Sequence, residues 1–294
     1  MIELGILLAL ASALGVNISM LCKHRGAVAA PDVRINRPVR SAVSLFRSRW
    51  WAIGFAVAAG AWALHVVALG FAPLSLVETV ISGSIVLLAY LAQHWFGLRV
   101  SRREWVGLGL IAAGLAFLGA TVPETSSHGS DYSLSAMIAF EAGAVAAGAL
   151  LLLSGSAGAF GNSRGPLLGV AAGVLLGVAN VSVKALTGTV PGDPLSVLSP
   201  WTAALLFAGV GAFFALARGL QIGGAIPVIA LSSVAANCAS ISGGVLVFGD
   251  AIGADALGIV LRSVAFVVVI VATALLPAGL GRVPTPPGTA PANA

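Results

Sequence analysis

The chain has 294 residues, 59% of them hydrophobic and only 9% charged, where soluble domains carry roughly a quarter charged residues. That balance excludes an ordinary water-soluble domain, and apolar stretches recurring along almost the whole length assign the chain to a membrane. The net charge of +5 does not point to nucleic acid, because most basic residues are gathered in a few connections between apolar spans, the pattern that sets membrane orientation.

In chain order, the first predicted span is Ile2 to Cys22. Its apolar stretch is preceded by Glu3 and by no Lys or Arg, so it is read as a retained helix and not a secretory signal. A basic segment, residues 23–49, follows with Lys23, Arg25, Arg34, Arg37, Arg40, Arg47 and Arg49. Spans two to four are Trp51 to Gly70, Leu74 to Trp95 and Trp105 to Val122. Ala136 to Leu153 is span five. Spans six to nine are Leu167 to Leu186, Trp201 to Ala217, Ala225 to Phe248 and Ala256 to Leu276. Lipid offers the backbone no hydrogen-bond partner, so runs of this length are helices. The expected fold is an all-α polytopic membrane bundle of about nine transmembrane helices. Residues 277–294, rich in Pro, Ala and Gly, are expected to form a disordered, mobile tail.

Positive charge fixes the expected orientation. The segment after span one and the segment after span three, with Arg99, Arg102 and Arg103, are expected in the cytoplasm. With alternating spans, Arg164, Arg218 and Arg282 fall on the same side. Glu3, Glu124, Asp131, Asp193, Asp250 and Asp255 fall on the other, without one Lys or Arg. The chain is therefore expected in the cell membrane as a multi-pass protein, N-terminus outside and C-terminus cytoplasmic. Cys22 and Cys238, the two cysteines, have neither disulfide-framework nor metal-ligand spacing, which leaves the redox compartment open.

Weak internal similarity points to two related four-helix units. Gly15-Val16-Asn17-Ile18-Ser19 is similar to Gly177-Val178-Ala179-Asn180-Val181-Ser182, with one residue of slippage. Gly60-Ala61-Trp62-Ala63-Leu64 is similar to Gly211-Ala212-Phe213-Phe214-Ala215-Leu216. Residues 1–122 are the expected first repeat, 135–155 a linking helix, and 165–276 a second repeat of inverted topology, an arrangement used by secondary transporters.

The sequence resembles the drug/metabolite transporter superfamily and, within it, the NIPA-like magnesium transporters. Residues Asn17 to Gly26 look like the end of the family's first helix and its basic-Gly run. Trp50-Trp51-Ala52-Ile53-Gly54 and Phe71-Ala72-Pro73-Leu74-Ser75-Leu76-Val77 are similar to its Trp-Trp opening and its Phe-Ala-Pro-x-x-Leu-Val turn, the most specific match. Asn180 to Leu186 and Ala225-Ile226-Pro227-Val228 look like the corresponding pieces of the other half. Glu78-Thr79 stands where the family usually has Thr-Pro, and Trp62 to His65 occupy the region of an expected acidic residue in span two. The resemblance thus implies the fold, and magnesium only as the nearest precedent for a cargo.

Charged side chains in hydrocarbon are costly and are the first functional candidates. Here they are Glu78, Glu141, Lys184 and Arg262, which balance in charge and are expected in the outer half of the membrane. Three readings stay open: buried ion pairs that fix helix packing, a titrating Glu78 or Glu141 that exchanges a proton or cation and is tuned by Lys184 and Arg262, or snorkelling near the interface. His65 titrates near neutral pH in an unperturbed setting and is a further candidate. Asn17, Asn180 and Asn237 can bond across helices, and Asn17 and Asn180 are candidates to line a cavity. Pro73 and Pro227 are candidate helix breaks, and the small polar run Ser232 to Ser242 should face protein or water. Gly169, Gly173 and Gly177 share one face of span six, with a looser small-residue face at Gly107, Ala112 and Gly114 on span four. Whether these faces meet helices of the same chain or of a second copy stays open, and with it a homodimer.

No HExxH or GxxxxGK[ST] run occurs, and the few ionisable residues are scattered over different spans, so neither an enzyme nor an ATP-driven pump is expected, and no cofactor. The expected partners are the lipid bilayer and a small solute or ion, Mg2+ among them, with the metal-binding residues unknown. A secondary transporter working by alternating access is the leading expectation. An importer or exporter of a small organic metabolite and a non-transporting membrane scaffold are the alternatives.

Overall fold

The computed structural model describes residues 2–34, 37–69, 71, 80–81, 83–98, 100–121, 132–156, 163–189, 195, 198–249 and 256–273. Among them the regular elements are helices: α1 Ile2–Ala29, α2 Pro38–Arg47, α3 Arg49–Leu69, α4 Ile85–His94, α5 Arg102–Thr121, α6 Leu134–Ser156, α7 Arg164–Thr189, α8 Pro200–Ile222, α9 Ala225–Phe248 and α10 Ala256–Thr273. Five of these, α1 and α6 to α9, contain stretches long and apolar enough to cross a membrane. The chain is a membrane protein built as a helical bundle. Its rim is apolar, with Leu7, Leu150, Phe207 and Leu246 more than half exposed, as lipid requires. Glu78, Pro73 and the tail 277–294 lie outside the described residues, as does the side chain of Arg262 on α10.

Two boundaries differ from expectation. The first helix does not stop at Cys22 but runs to Ala29, because Lys23, Arg25 and the alanines beyond are good helix formers and only Pro31 forces an extended residue before it. The polar stretch after it holds a short helix, α2, opened by Pro38, whose missing N–H costs nothing in a first turn.

Small residues set the helix contacts. Along α1 and α3, Gly15 faces Ala61, Gly26 faces the Trp51 backbone, and Gly54 lies against the Ser19 carbonyl, so the two helices run antiparallel at close range. Ser12 Oγ donates to the Ala61 carbonyl across the seam at 2.8 Å. The Gly169, Gly173 and Gly177 face receives α9: a Cβ on Gly169 would sit 2.7 Å from the Val228 carbonyl, and on Gly173 and Gly177 it would collide with Ser232 and Ala239. The contact lies within one chain, and α7 and α9 run parallel. Gly114 of the looser face meets Val269 of α10.

The bundle has two unlike ends. At one, α1, α4 and α8 end and α3, α5, α7 and α9 begin, around a core that includes Leu21, Leu45, Trp51, Leu88, Leu108 and Leu220. Ser101 and Glu104 start α5 there with reciprocal capping bonds of 2.7 and 3.3 Å. Lys23, Arg25, Arg102, Arg103, Arg164 and Arg218 lie at this basic end. At the opposite end Met137, Val181, Ala185 and Val247 form a smaller cluster roofed by Tyr132, Trp201 and Phe248. Trp201 Nε1 donates to Tyr132 Oη at 2.7 Å, the amphipathic pairing expected where apolar and wet surroundings meet. Gly249, with φ of 66°, stops α9 beside it.

Candidate functional site

Close approach of α9 to the glycine face of α7 shapes the site. Because α9 must be slim there, it carries Ser and Ala, and the next residues around its surface turn polar atoms into the gap beside the seam. The result is a cavity of about 230 Å³ among α1, α7, α8 and α9. Its polar lining is Asn180 of α7 with Ser232, Ser233, Asn237 and Ser240 of α9, while Met20, Leu176 and Leu216 supply apolar walls. Asn180 Nδ2 donates to Ser240 Oγ at 3.1 Å, and Asn237 Nδ2 to the Ser233 carbonyl at 2.9 Å. Each amide thus spends one N–H within the protein and keeps its oxygen and second N–H for another partner. Both asparagines are exposed rather than sealed in the core, so the cavity is open-sided.

Two predicted residues therefore meet at this cavity, Asn180 and Asn237. Asn17 does not line it. Its Nδ2 donates to Ala13 O at 2.8 Å, to Ser84 Oγ at 3.1 Å and to Ser84 O at 3.2 Å, which ties α1 to the start of α4. The role expected of Asn17 as a cavity wall is corrected to helix tethering, because its neighbour across the gap is a serine that accepts its proton. Pro227 is corrected as well: α9 is unbroken from Ala225, and the proline sits in its first turn, where no intrahelical N–H is lost. The small polar run after it faces protein and cavity as the sequence requires.

Glu141 lies on α6, buried, with Ser182 Oγ donating to Oε1 at 2.6 Å. Lys184 sits one half-turn beyond Ser182, its Nζ 4.3 Å from the centroid of the Phe248 ring. Both belong to the end opposite the basic one, and neither is among the cavity walls. His65 is half-buried on α3, also away from them. Among the described residues no group of three or more His, Cys, Asp or Glu is placed to hold a metal ion.

Sequence reasoning missed a polar junction at the basic end. Gln221 Nε2, at the end of α8, donates to the Ala27 and Pro31 carbonyls at 3.0 Å each, and Val33 N–H donates to its Oε1 at 3.0 Å. Arg218 Nη1 donates to the same Oε1 at 3.1 Å and to Asp32 Oδ1 at 2.7 Å. His24 Nδ1 faces the Leu220 carbonyl at 3.1 Å. The signal was present in Arg218 and Gln221 closing an apolar helix, but their partner is nearly two hundred residues away.

No family model matches the chain, and no solved structure matches it. The chain is similar to an uncharacterized protein of Corynebacterium glutamicum, 30% identical over 185 residues. The match spans 62% of this chain and 62% of that relative.

Proposed function

We propose that the protein is a secondary transporter that carries a small polar solute through the cavity between α7 and α9 by alternating access. The observation that carries this reading is a polar, open-sided cavity walled by asparagines and serines inside helices that cross a membrane. Isolated polar groups are expensive at that depth, and a lipid-facing or merely structural surface has no use for five of them around one gap. In this reading the chain crosses nine times as two inverted four-helix units joined by α6. Its support is that α1 ends where α7 begins, and that an asparagine on the first helix of each set bonds a serine of the third membrane segment: Asn17 with Ser84, just before α4, and Asn180 with Ser240 on α9.

The resemblance to drug/metabolite transporters agrees with this architecture. Neutral amide and hydroxyl walls favour a small organic metabolite over magnesium, which prefers carboxylate and phosphate oxygens. Glu78 stands five residues after Pro73 as Ser232 stands five after Pro227, which offers a titratable group at the first-unit counterpart of a cavity wall.

Flux into proteoliposomes, measured with a panel of amino acids, sugars, amines and magnesium, tests the proposal. Saturable movement of one solute is expected, cut about tenfold or more by Asn180→Leu and by Asn237→Leu, since each loses a solute hydrogen bond. A chain that moves nothing across the panel, or whose flux ignores both substitutions, is not this transporter.

A further inference from the structure

Helix α2 divides into three sectors at about 100° per residue. Ser41 and Leu45 turn inward and are buried. Val39, Val43 and Phe46 form a second strip, 74%, 49% and 45% exposed, a large apolar surface for so short a helix. Arg40 and Arg47, with Arg37 at the cap, form the third.

Beside this third sector lies a cavity of about 800 Å³, bordered by Arg34, Arg37, Arg40 and Arg47 and by Asp32. Val33 and Arg34 at its edge are held in place: Arg34 N–H donates to Ser41 Oγ at 3.0 Å, Ser41 Oγ donates to the Arg34 carbonyl at 3.1 Å, and Val33 N–H donates to Gln221 Oε1. Asp32 is already taken by Arg218 at 2.7 Å, and no carboxylate among the described residues is paired with any of the four cavity arginines. Positive charge that only orients a chain has to be on the right side; it has no need to converge on one cavity, where like charges repel.

We propose that α2, with Arg34 and Arg37 ahead of it, binds the anionic headgroup of a membrane phospholipid. The phosphodiester sits among Arg34, Arg37, Arg40 and Arg47, whose guanidinium forks match its oxygens. The acyl chains lie against Val39, Val43 and Phe46. The apolar strip next to the arginines is what selects an amphiphile over a free anion, and the site lies at the end of α1 and the start of α3, where a bilayer surface is met.

Native mass spectrometry of the full chain in detergent, titrated with phosphatidylglycerol, phosphatidylcholine or inorganic phosphate, tests this. Phosphatidylglycerol should bind at least about tenfold more tightly than phosphatidylcholine, as several basic contacts to one anion imply. The combined R34Q/R37Q/R40Q/R47Q substitution should remove the preference, and inorganic phosphate at millimolar levels should not displace the lipid. Equal binding of the two lipids, a preference that survives the four substitutions, or displacement by phosphate overturns the proposal. Should the fourfold variant not fold, the comparison of lipids on the unaltered chain and on the milder R40Q/R47Q variant decides it.

Discussion

The two ends of the bundle are closed by different means. At the basic end α1 and α8 are joined by a network around Gln221 and Arg218, laid over the largest apolar cluster among the described residues. At the opposite end the closure is a small apolar cluster under Tyr132, Trp201 and Phe248, with Glu141 and Ser182 bonded below. The cavity lies between. Directional bonds spread over several backbone carbonyls hold one geometry and fail together when one partner leaves, whereas the aromatic end has the Trp201–Tyr132 and Ser182–Glu141 bonds as separate pairs. Among the described residues, the basic end is thus the one held by the denser set of directional bonds.

The largest expected effect comes from the seam that both ends share. Gly173→Leu drives a side chain into the Ser232 carbonyl and Ala235. Helix backbone cannot yield locally, so the cost should be about 3 kcal/mol or more, read as loss of monodisperse protein or a large drop in melting temperature. Gln221→Leu should be next. It strands the Val33 N–H and removes the donor shared by the Ala27, Ala30 and Pro31 carbonyls, for about 1 to 3 kcal/mol, and it should speed maleimide labelling of the buried Cys22 at the same end in a Cys238→Ser background. Unchanged labelling would show that the network does not hold this end together. Asp32→Asn should be the smallest, below about 1 kcal/mol, because Asp32 is 68% exposed and its pair with Arg218 is screened by water. A thermal melt of that variant indistinguishable from the parent fits this ranking, and a drop as large as that of Gln221→Leu inverts it.

Part of this was legible in the residues and part was not. Hydropathy alone marks the five helices long and apolar enough to cross a membrane, because in lipid an apolar run has no other way to satisfy its backbone. The glycine face of α7 was legible as a contact surface, but its partner α9 was not, since small residues on several helices qualify equally. Asn180 and Asn237 stood out as amides in apolar runs, and they do line the cavity; Asn17 had the same signature and tethers α4 instead. Sequence cannot separate an amide facing a gap from one facing a serine. Helix α2 escaped because its apolar residues are too few for a hydropathy window, and its three-sector pattern has meaning only once the inward face is known. The Gln221 network joins residues too distant in the chain for any local pattern.

In the proposed transport cycle, water and solute reach a cavity inside the membrane beside Asn180 and Asn237. In a chain with Cys22→Ser and Cys238→Ser, introduce Ser233→Cys in the cavity wall and, separately, Phe207→Cys on the rim, where the native ring is 84% exposed to lipid. Treat intact membranes with a charged, membrane-impermeant thiol reagent. The account predicts labelling of Ser233→Cys, slowed by the transported solute, and none of Phe207→Cys; an unreactive Ser233→Cys from both sides of the membrane would contradict it.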